Sequence, residues 1–311
     1  MRALVLALVL ASTPCLATAG QSFLVVVSGI GGEAEFTARF AERSTRMLEA
    51  AESHMQLPRE RIVHLGENPG DGVDGQSTKA EIENTITRLA GAAEPGDTLF
   101  VLLIGHGTAR GDRILFNLPG PDMSATELHA LLEARDGLRW VIVNTSPSSG
   151  PFVRALSGPD RVVVTATSNA AERYSTVFAD HFIAAYAGKG ADTDKNGRIS
   201  VLEAFEFARR EVKRQYEAEG RLQSEHAVLD DSDGLARTTY LESDRTLYSR
   251  TLPADELDRL LAERDALEQR IESLVTEKPS LSPAVYDDRL EALLVEFALV
   301  HRALRAPGER Q

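Results

Sequence analysis

Cysteine is nearly missing from this chain, since the only one, Cys15, lies close to the amino terminus. Residues 20–311 therefore offer no disulfide, no thiolate metal ligand and no cysteine nucleophile. Basic residues are also in deficit: 34 Lys and Arg stand against 47 Asp and Glu, for a formal net charge of −13. A surface of this sign disfavours nucleic acid and anionic lipid as partners. Stability must come from the apolar core and from any bound ion.

The first apolar run is too short to span a bilayer as an anchor of the mature protein. Met1–Ala19 has the layout of a secretory signal peptide, with a basic start, the apolar stretch 3–11 and small residues before a cleavage site after Ala19. Pro14 directly before Cys15 argues against a lipoprotein. We therefore expect an exported protein, secreted or periplasmic, with no membrane span.

Short apolar segments alternate with helical patterns over the next two hundred or so residues. Five of the apolar segments are predicted strands, at 23–28, 61–65, 98–104, 140–144 and 161–167. Alternation of this kind is typical of βαβ units. We predict an α/β domain over residues 22–235, with a doubly wound, mainly parallel sheet and flanking helices.

The pattern changes after residue 235. Residues 236–252 mix polar and aromatic types and are predicted to form a linker or an edge strand. Two amphipathic helices follow within residues 253–306, separated by a break at Pro279–Pro283. Because the break is short, we predict an antiparallel helical hairpin.

Residues 192–203, DTDKNGRISVLE, follow the twelve-position pattern of an EF-hand calcium loop. Such a loop takes oxygen ligands from positions 1, 3, 5, 7, 9 and 12, and needs glycine at position 6 for a sharp turn. The predicted ligands are Asp192, Asp194, Asn196, Arg198 through its carbonyl, Ser200 and Glu203. Helices are expected on both sides of the loop. We predict one structural Ca²⁺ site; the alternative is a polar turn without metal.

Two strand ends carry the candidate chemistry. The strand 98–104 runs into Gly105-His106-Gly107, and the strand 140–144 runs into Thr145-Ser146-Pro147. If the two strands are neighbours, His106 and Ser146 share the carboxyl edge of the sheet, where open α/β sheets bind ligands. A histidine beside a hydroxyl is the base–nucleophile pair of covalent catalysis, and Gly107 could help an oxyanion with its amide. The alternative is two ordinary polar turns.

In these features the chain resembles the caspase–haemoglobinase superfamily, which includes caspases, metacaspases and legumain-like peptidases. The resemblance rests on the strand before Gly-His-Gly at 105–107, the later strand before a Ser/Gly turn and Phe152, and their order. It implies a histidine base at His106 and a cysteine nucleophile after the fourth strand. Counting along the strand places Ser146 at that position, and counting back from Phe152 places Pro147 there.

Two functional hypotheses follow from this resemblance together with the predicted calcium loop. The first is a pseudopeptidase that lacks the cysteine nucleophile and binds a peptide or protein partner and one calcium ion. The second is a serine-dependent hydrolase that uses Ser146 and His106. A third hypothesis, dinucleotide binding at the glycine-rich turn 29–34, requires an acid about 20 residues further on. The nearest acid at a strand end is Glu67, so we reject this hypothesis.

Overall fold

The computed structural model describes most of the chain after the predicted signal peptide, namely residues 20–70, 72–111, 113–188, 190–231, 234–241 and 252–305. Met1–Ala19 lies outside the described residues, as do residues 242–251 of the predicted linker. Among the described helices, none is both long and apolar enough to cross a membrane.

Ten strands form two sheets in the described chain. In chain order they are β1 Ser22–Ser28, β2 Ile62–Gly66, β3 Gly75–Gln76, β4 Thr98–Ile104, β5 Gly107–Arg110, β6 Arg113–Phe116, β7 Met123–Ser124, β8 Arg139–Asn144, β9 Arg161–Thr165 and β10 Val228–Asp230. The main sheet has the order β3-β2-β1-β4-β8-β9-β10, and only β10 runs antiparallel to its neighbour. Strands β5, β6 and β7 form a small antiparallel sheet. The predicted doubly wound, mainly parallel architecture is confirmed.

Eight helices accompany the sheets in this part of the chain. They are α1 Ala34–Ser53, α2 Lys79–Ala92, α3 Ala125–Leu132, α4 Pro151–Leu156, α5 Phe178–Ala187, α6 Val201–Ala218, α7 Ala254–Glu277 and α8 Pro283–Arg305. Helix α3 begins at a capping box, in which Ser124 Oγ accepts from the Glu127 amide and Glu127 accepts from the Ser124 amide. Capping side chains of this kind mark the starts of α2, α3 and α6, at Thr78, Ser124 and Ser200.

The main sheet is buried on both faces, which explains its continuous apolar strands. Along β1, Leu24 and Val26 belong to the apolar cluster that contains α1, α5 and α6 residues. Val25 and Val27 belong to the cluster that contains α2, α3 and α4 residues. Because successive side chains of a strand point to opposite faces, one apolar run serves both clusters.

The packed core continues beyond residue 235, where the sequence pattern placed the end of the domain. Ala236 and Leu241 are almost completely buried in the cluster on the α1 side of the sheet. Tyr240 forms an isolated β-bridge with Ser200 at the start of α6. The short segment 236–241 mixes polar and apolar residues without a clear period, and only its long-range contacts identify it as part of the core.

Helices α7 and α8 form the predicted C-terminal hairpin. Arg270 of α7 pairs with Glu296 of α8 at 2.8 Å, and Glu277 pairs with Arg289 at 3.7 Å, so the helices run antiparallel. Their apolar cluster contains residues from the segment 252–304 alone.

Candidate functional site

His106 lies directly after β4, and its ring packs against two aromatic side chains of α1. The ring centroid is 4.6 Å from that of Phe36 and 5.1 Å from that of Phe40, both in edge-on geometry. The ring atom Nε2 lies 3.2 Å from the carbonyl oxygen of Gly31. Since a carbonyl can only accept, Nε2 carries the proton of the neutral ring and Nδ1 is the remaining acceptor. Burial lowers the pKa of His106 below its ordinary value, which favours the neutral ring that a general base requires.

A carboxylate holds the turn that supplies the Gly31 carbonyl. Glu67 Oε2 accepts hydrogen bonds from the Gly31 amide at 3.1 Å and from Thr37 Oγ1 at 2.8 Å. A dinucleotide site would need free amide groups in this glycine-rich turn to bind a phosphate. The chain's own carboxylate takes one of them, in agreement with rejection of that hypothesis.

Ser146 follows β8 and is only 1% exposed. Its hydroxyl donates to Asn144 Oδ1 at 2.7 Å, and its amide donates to the same oxygen at 3.0 Å. The strands β4 and β8 are parallel neighbours, which is the condition under which the sequence places His106 and Ser146 at one edge. The structure therefore brings Ser146 and His106 to one edge of the sheet but directs the serine proton to an amide oxygen.

At Gly107 the backbone after β4 passes close to the turn after β8. A Cβ atom at this position would lie 2.2 Å from the carbonyl oxygen of Pro147 and 2.7 Å from Ser146 Oγ. Only glycine lets the backbone after His106 pass so close to the backbone after Ser146. That the Gly107 amide stabilises an oxyanion stays a prediction.

The whole turn 145–150 is a buried and hydrogen-bonded element. Ser148 adopts a left-handed backbone conformation with φ of +57°, and its hydroxyl donates to the carbonyl of Ala170 at 3.0 Å. Thr167 Oγ1 lies 3.1 Å from Ser149 Oγ and accepts from the Gly150 amide at 3.0 Å. Buried polar groups that are satisfied in this way rigidify a turn. Sequence reasoning missed Thr167, which follows β9. The available signal was the concentration of Ser and Thr at residues 165–168.

A cleft of about 1090 Å³ borders the same edge of the sheet. Its walls are the start of β6, the capping turn 124–127, the first residues of α4 and the loop 168–170. Gly150 is shared between this cleft and the turn that contains Ser146. Sequence reasoning missed the cleft because segments distant in the chain build it.

The predicted calcium loop folds as a series of side chain-to-backbone turns. Asp192 Oδ2 accepts from the Gly197 amide at 3.0 Å, Asp194 Oδ1 accepts from the Asn196 amide at 3.0 Å, and Asn196 Oδ1 accepts from the Arg198 amide at 2.8 Å. Gly197 has φ of +82°, a conformation that favours glycine. These bonds wrap the polar side chains of the loop towards its centre.

Three carboxylates meet in this loop. Ligand atoms of Asp192, Asp194 and Glu203 lie within 4.8 Å of one another. Asp192 Oδ1 is buried and accepts no hydrogen bond from any described residue. Burial, with a further contribution from the charges of Glu203 and Asp192, raises the pKa of Asp194 to about 6. Clustered carboxylates with an unpartnered oxygen suit a hard divalent cation such as Ca²⁺.

Two of the predicted ligands have a second task. Glu203 Oε2 accepts from the amide and hydroxyl of Ser200, and Ser200 Oγ accepts from the Glu203 amide, which is a capping box at the start of α6. Glu203 Oε1 accepts from the amide of Thr193 at 2.8 Å. Sequence reasoning assigned Ser200 and Glu203 to metal alone and missed this cap, although the spacing Ser-x-x-Glu is its signature.

The loop lies at the opposite edge of the sheet from His106. Tyr240, which bridges to Ser200, accepts a hydrogen bond at its carbonyl from Ser22 Oγ, and Ser22 is the first residue of β1. The loop is therefore close to the amino ends of the strands, whereas Ser146 follows a carboxyl end. A cation in the loop would be remote from the candidate catalytic residues.

Comparison with known proteins gives a distant likeness to solved structures. Neither a protein-family model nor a curated protein matches the chain. Similar structures include a protein from Geobacter sulfurreducens, with 13% identity and a TM-score of 0.42 over 68% of this chain and 92% of that chain. They also include drICE, with 12% identity and a TM-score of 0.40 over 69% of this chain and 89% of that chain. Caspase-1 from Spodoptera frugiperda has 11% identity and a TM-score of 0.45 over 70% of this chain and 88% of that chain.

Proposed function

We propose that this protein is an exported homologue of the caspase–haemoglobinase peptidases that binds a peptide or protein without cleaving it, and that holds one Ca²⁺. The observation that carries this proposal is the environment of Ser146. A serine becomes a nucleophile when its proton is directed at a base. Here the hydroxyl donates to Asn144 Oδ1, an amide oxygen with no useful basicity, and the residue is 1% exposed.

The environment of His106 supports the same proposal. Its Nε2 atom is engaged by the Gly31 carbonyl, and Phe36 and Phe40 pack against the ring. A hydrolase would need Ser146 to leave Asn144 and a substrate to reach a buried side chain. The neutral histidine has the protonation state of a general base, but the candidate nucleophile, Ser146, is buried and donates its proton elsewhere.

A serine-reactive fluorophosphonate, followed by intact-mass measurement of the chain from residue 20 onwards, tests the absence of catalysis. We expect no adduct on the wild-type protein. Ser146→Ala and His106→Ala are the informative variants, and Ser168→Ala removes an exposed serine of a neighbouring loop as a control. A single adduct that is lost in the first two variants and kept in the control would instead establish a serine-dependent hydrolase.

The cleft beside the turn 145–150 is the proposed place of the peptide or protein partner. It is lined by both polar and apolar residues, and it lies outside the carboxyl ends of the strands, where α/β sheets bind ligands. Thr126 is an exposed residue of its wall, so Thr126→Trp fills the cleft without altering the buried core. Ser53→Trp places the same bulk on an exposed site at the end of α1.

Selection of a displayed random peptide library on immobilised protein tests this cleft. We expect enriched peptides that bind the wild-type protein and Ser53→Trp equally and bind Thr126→Trp weakly. Peptides that bind all three proteins equally would place the partner elsewhere, and the absence of enrichment would contradict peptide binding.

Export is tested by locating the expressed protein and determining its first residue. We expect full-length expression with the native leader to yield extracytoplasmic protein that begins at Gly20, as the small residues at 17 and 19 indicate. Cytoplasmic protein that still begins at Met1 would contradict it.

A further inference from the structure

The C-terminal hairpin meets the α/β unit through polar groups. Among the described residues, the hairpin's apolar cluster includes no residue of the α/β unit, whose apolar side chains form two clusters of their own. A polar cavity of about 120 Å³ lies between the two parts, lined by Ser22, Thr98 and Arg139 at the strand amino ends and by Arg264 and Glu268 of α7. Since apolar burial contributes little here, ion pairs and hydrogen bonds decide whether the hairpin is docked.

Arg198 connects the calcium loop to this hairpin. Its Nη1 atom lies 3.4 Å from Glu268 Oε1, and the two side chains are only 11% and 12% exposed. Its guanidinium also stacks on the ring of Tyr240, 3.5 Å from the centroid. A pair shielded in this way is costly to break, because both charges are poorly solvated; Glu268 Oε1 also lies 3.9 Å from Nε of Arg264 on the same helix.

The same residue occupies position 7 of the loop, where the predicted ligand is the main-chain carbonyl. Tyr240, the platform under its side chain, also receives a hydrogen bond from Asn196 Nδ2 at 3.4 Å and pairs with Ser200. Positions 5, 7 and 9 of the loop therefore all contact Tyr240. A change in the backbone of 196–200 moves both Arg198 and its platform.

We propose that cation binding by the loop 192–203 and docking of the hairpin on the amino-end edge of the sheet are coupled through Arg198 and Glu268. This inference rests on the Ca²⁺ site of the proposed function. Coupling between two sites is reciprocal, so Ca²⁺ strengthens docking by the factor by which docking strengthens Ca²⁺ binding. Couplings of this kind change an affinity by about fivefold or more.

Calorimetric titration of Ca²⁺ into residues 20–311 tests the coupling, because the coupling and simple electrostatics predict opposite changes in the Ca²⁺ affinity of Arg198→Ala. Removal of a positive charge beside the loop tightens cation binding by simple electrostatics. The coupling predicts the reverse: Arg198→Ala weakens Ca²⁺ binding about fivefold or more. Arg209→Ala, which removes an exposed arginine of α6 that pairs with Glu206, is expected to leave the dissociation constant unchanged.

Outcomes of the titration separate the two proposals. Tighter or unchanged Ca²⁺ binding by Arg198→Ala overturns the coupling and leaves the site intact. Failure of the wild-type protein to bind Ca²⁺ overturns the site and the coupling together.

Docking is measured directly by distances between spin labels. Because residues 20–311 contain no cysteine, Asp136→Cys near the amino end of β8 and Ser273→Cys on α7 provide two unique exposed labelling sites. We expect a narrow distance distribution in Ca²⁺ and a broad one in EGTA. With Glu268→Gln it is expected to be broad in both. A narrow distribution in both conditions, for wild-type protein that binds Ca²⁺, overturns the coupling alone.

Discussion

The substitution Asp192→Asn distinguishes a calcium loop from a polar turn, because it removes one charge and keeps the shape of the side chain. Asp192 Oδ2 accepts from the Gly197 amide, and Oδ1 is buried without a described donor. Asparagine retains one acceptor for Gly197 and places an amide group where the unpartnered oxygen lies. The loop is therefore expected to keep its fold while it loses one ligand charge.

In Ca²⁺ the wild-type protein is expected to be the more stable of the two. With the modest affinity of extracellular loops, a dissociation constant of about 10⁻⁴–10⁻³ M, about 10 mM Ca²⁺ exceeds the constant by about 10–100-fold. Binding to the folded state alone then contributes about 1.4–2.7 kcal/mol. A chain of this size gains about 2–4 °C in Tm per kcal/mol, so the expected rise is about 3–11 °C.

Without metal the order is expected to reverse. Burial, aided by the neighbouring carboxylates, raises the pKa of Asp194 from 3.8 to about 6, so its charge is unfavourable in the folded, metal-free loop. The stability contribution of this carboxyl is full below about pH 4 and is lost as the pH rises through 6. Asp192→Asn relieves part of the repulsion, so in chelator at pH 7 the variant is expected to melt at or above the wild-type temperature.

Thermal unfolding in Ca²⁺ and in EDTA, with Asp136→Asn as an exposed control, measures both effects. The reasoning is refuted if Ca²⁺ raises the Tm of Asp192→Asn as much as that of the wild type. It is equally refuted if Ca²⁺ leaves the wild-type Tm unchanged.

Three further predictions concern the opposite edge of the sheet. Gly107→Ala is expected to destabilise the protein by about 1–3 kcal/mol, because the new methyl group has no space beside Pro147. Denaturant unfolding measures this loss. The control is Gly91→Ala, which has open space in α2 and is expected to be neutral or stabilising. Equal effects would contradict the close approach. His106 is expected to titrate by NMR below its ordinary pKa of 6.5, because burial disfavours the charged ring. Its contribution to stability is then lost as the pH falls below about 6.5. A titration midpoint above 6.5 would contradict its burial. Lys79→Met is expected to raise the pKa of Glu127 from about 2, because the 2.7 Å hydrogen bond from Lys79 Nζ is the main cause of its lowering. Arg88→Met on the same helix is the control. An unchanged pKa of Glu127 in Lys79→Met would assign its low value to the capping turn.

The regular elements were predictable because their signals are local. Strand β4 was predicted with its observed bounds, Thr98–Ile104, since a long apolar run bounded by turns has few alternatives. The start of α3 is equally local, since Ser124 and Glu127 form a capping box across three positions. The short strands β3 and β10 were not predicted, because two or three residues are too few to display an alternating pattern.

The candidate site was predictable only in part. The sequence placed His106 and Ser146 after two strands and made their proximity conditional on those strands being neighbours, and β4 and β8 are neighbours. The direction of the serine proton did not follow, because His106 and Asn144 were both possible acceptors in the sequence. Ser148 and Thr167, which fix the turn around Ser146, could be recognised only once β8 and β9 were side by side.

The sequence by itself determined the class of fold, the beginnings of several helices, the lack of a thiol in residues 20–311 and the positions of the candidate residues. Apolar periodicity, capping and composition can be recognised within a few neighbouring residues. Tertiary structure decided which groups those residues face. His106 meets the carbonyl of Gly31, 75 positions away in the chain. Arg198 meets Glu268 across 70 positions. Burial and hydrogen-bond partners set the proton affinity and reactivity of a side chain, and both arise from packing between distant segments.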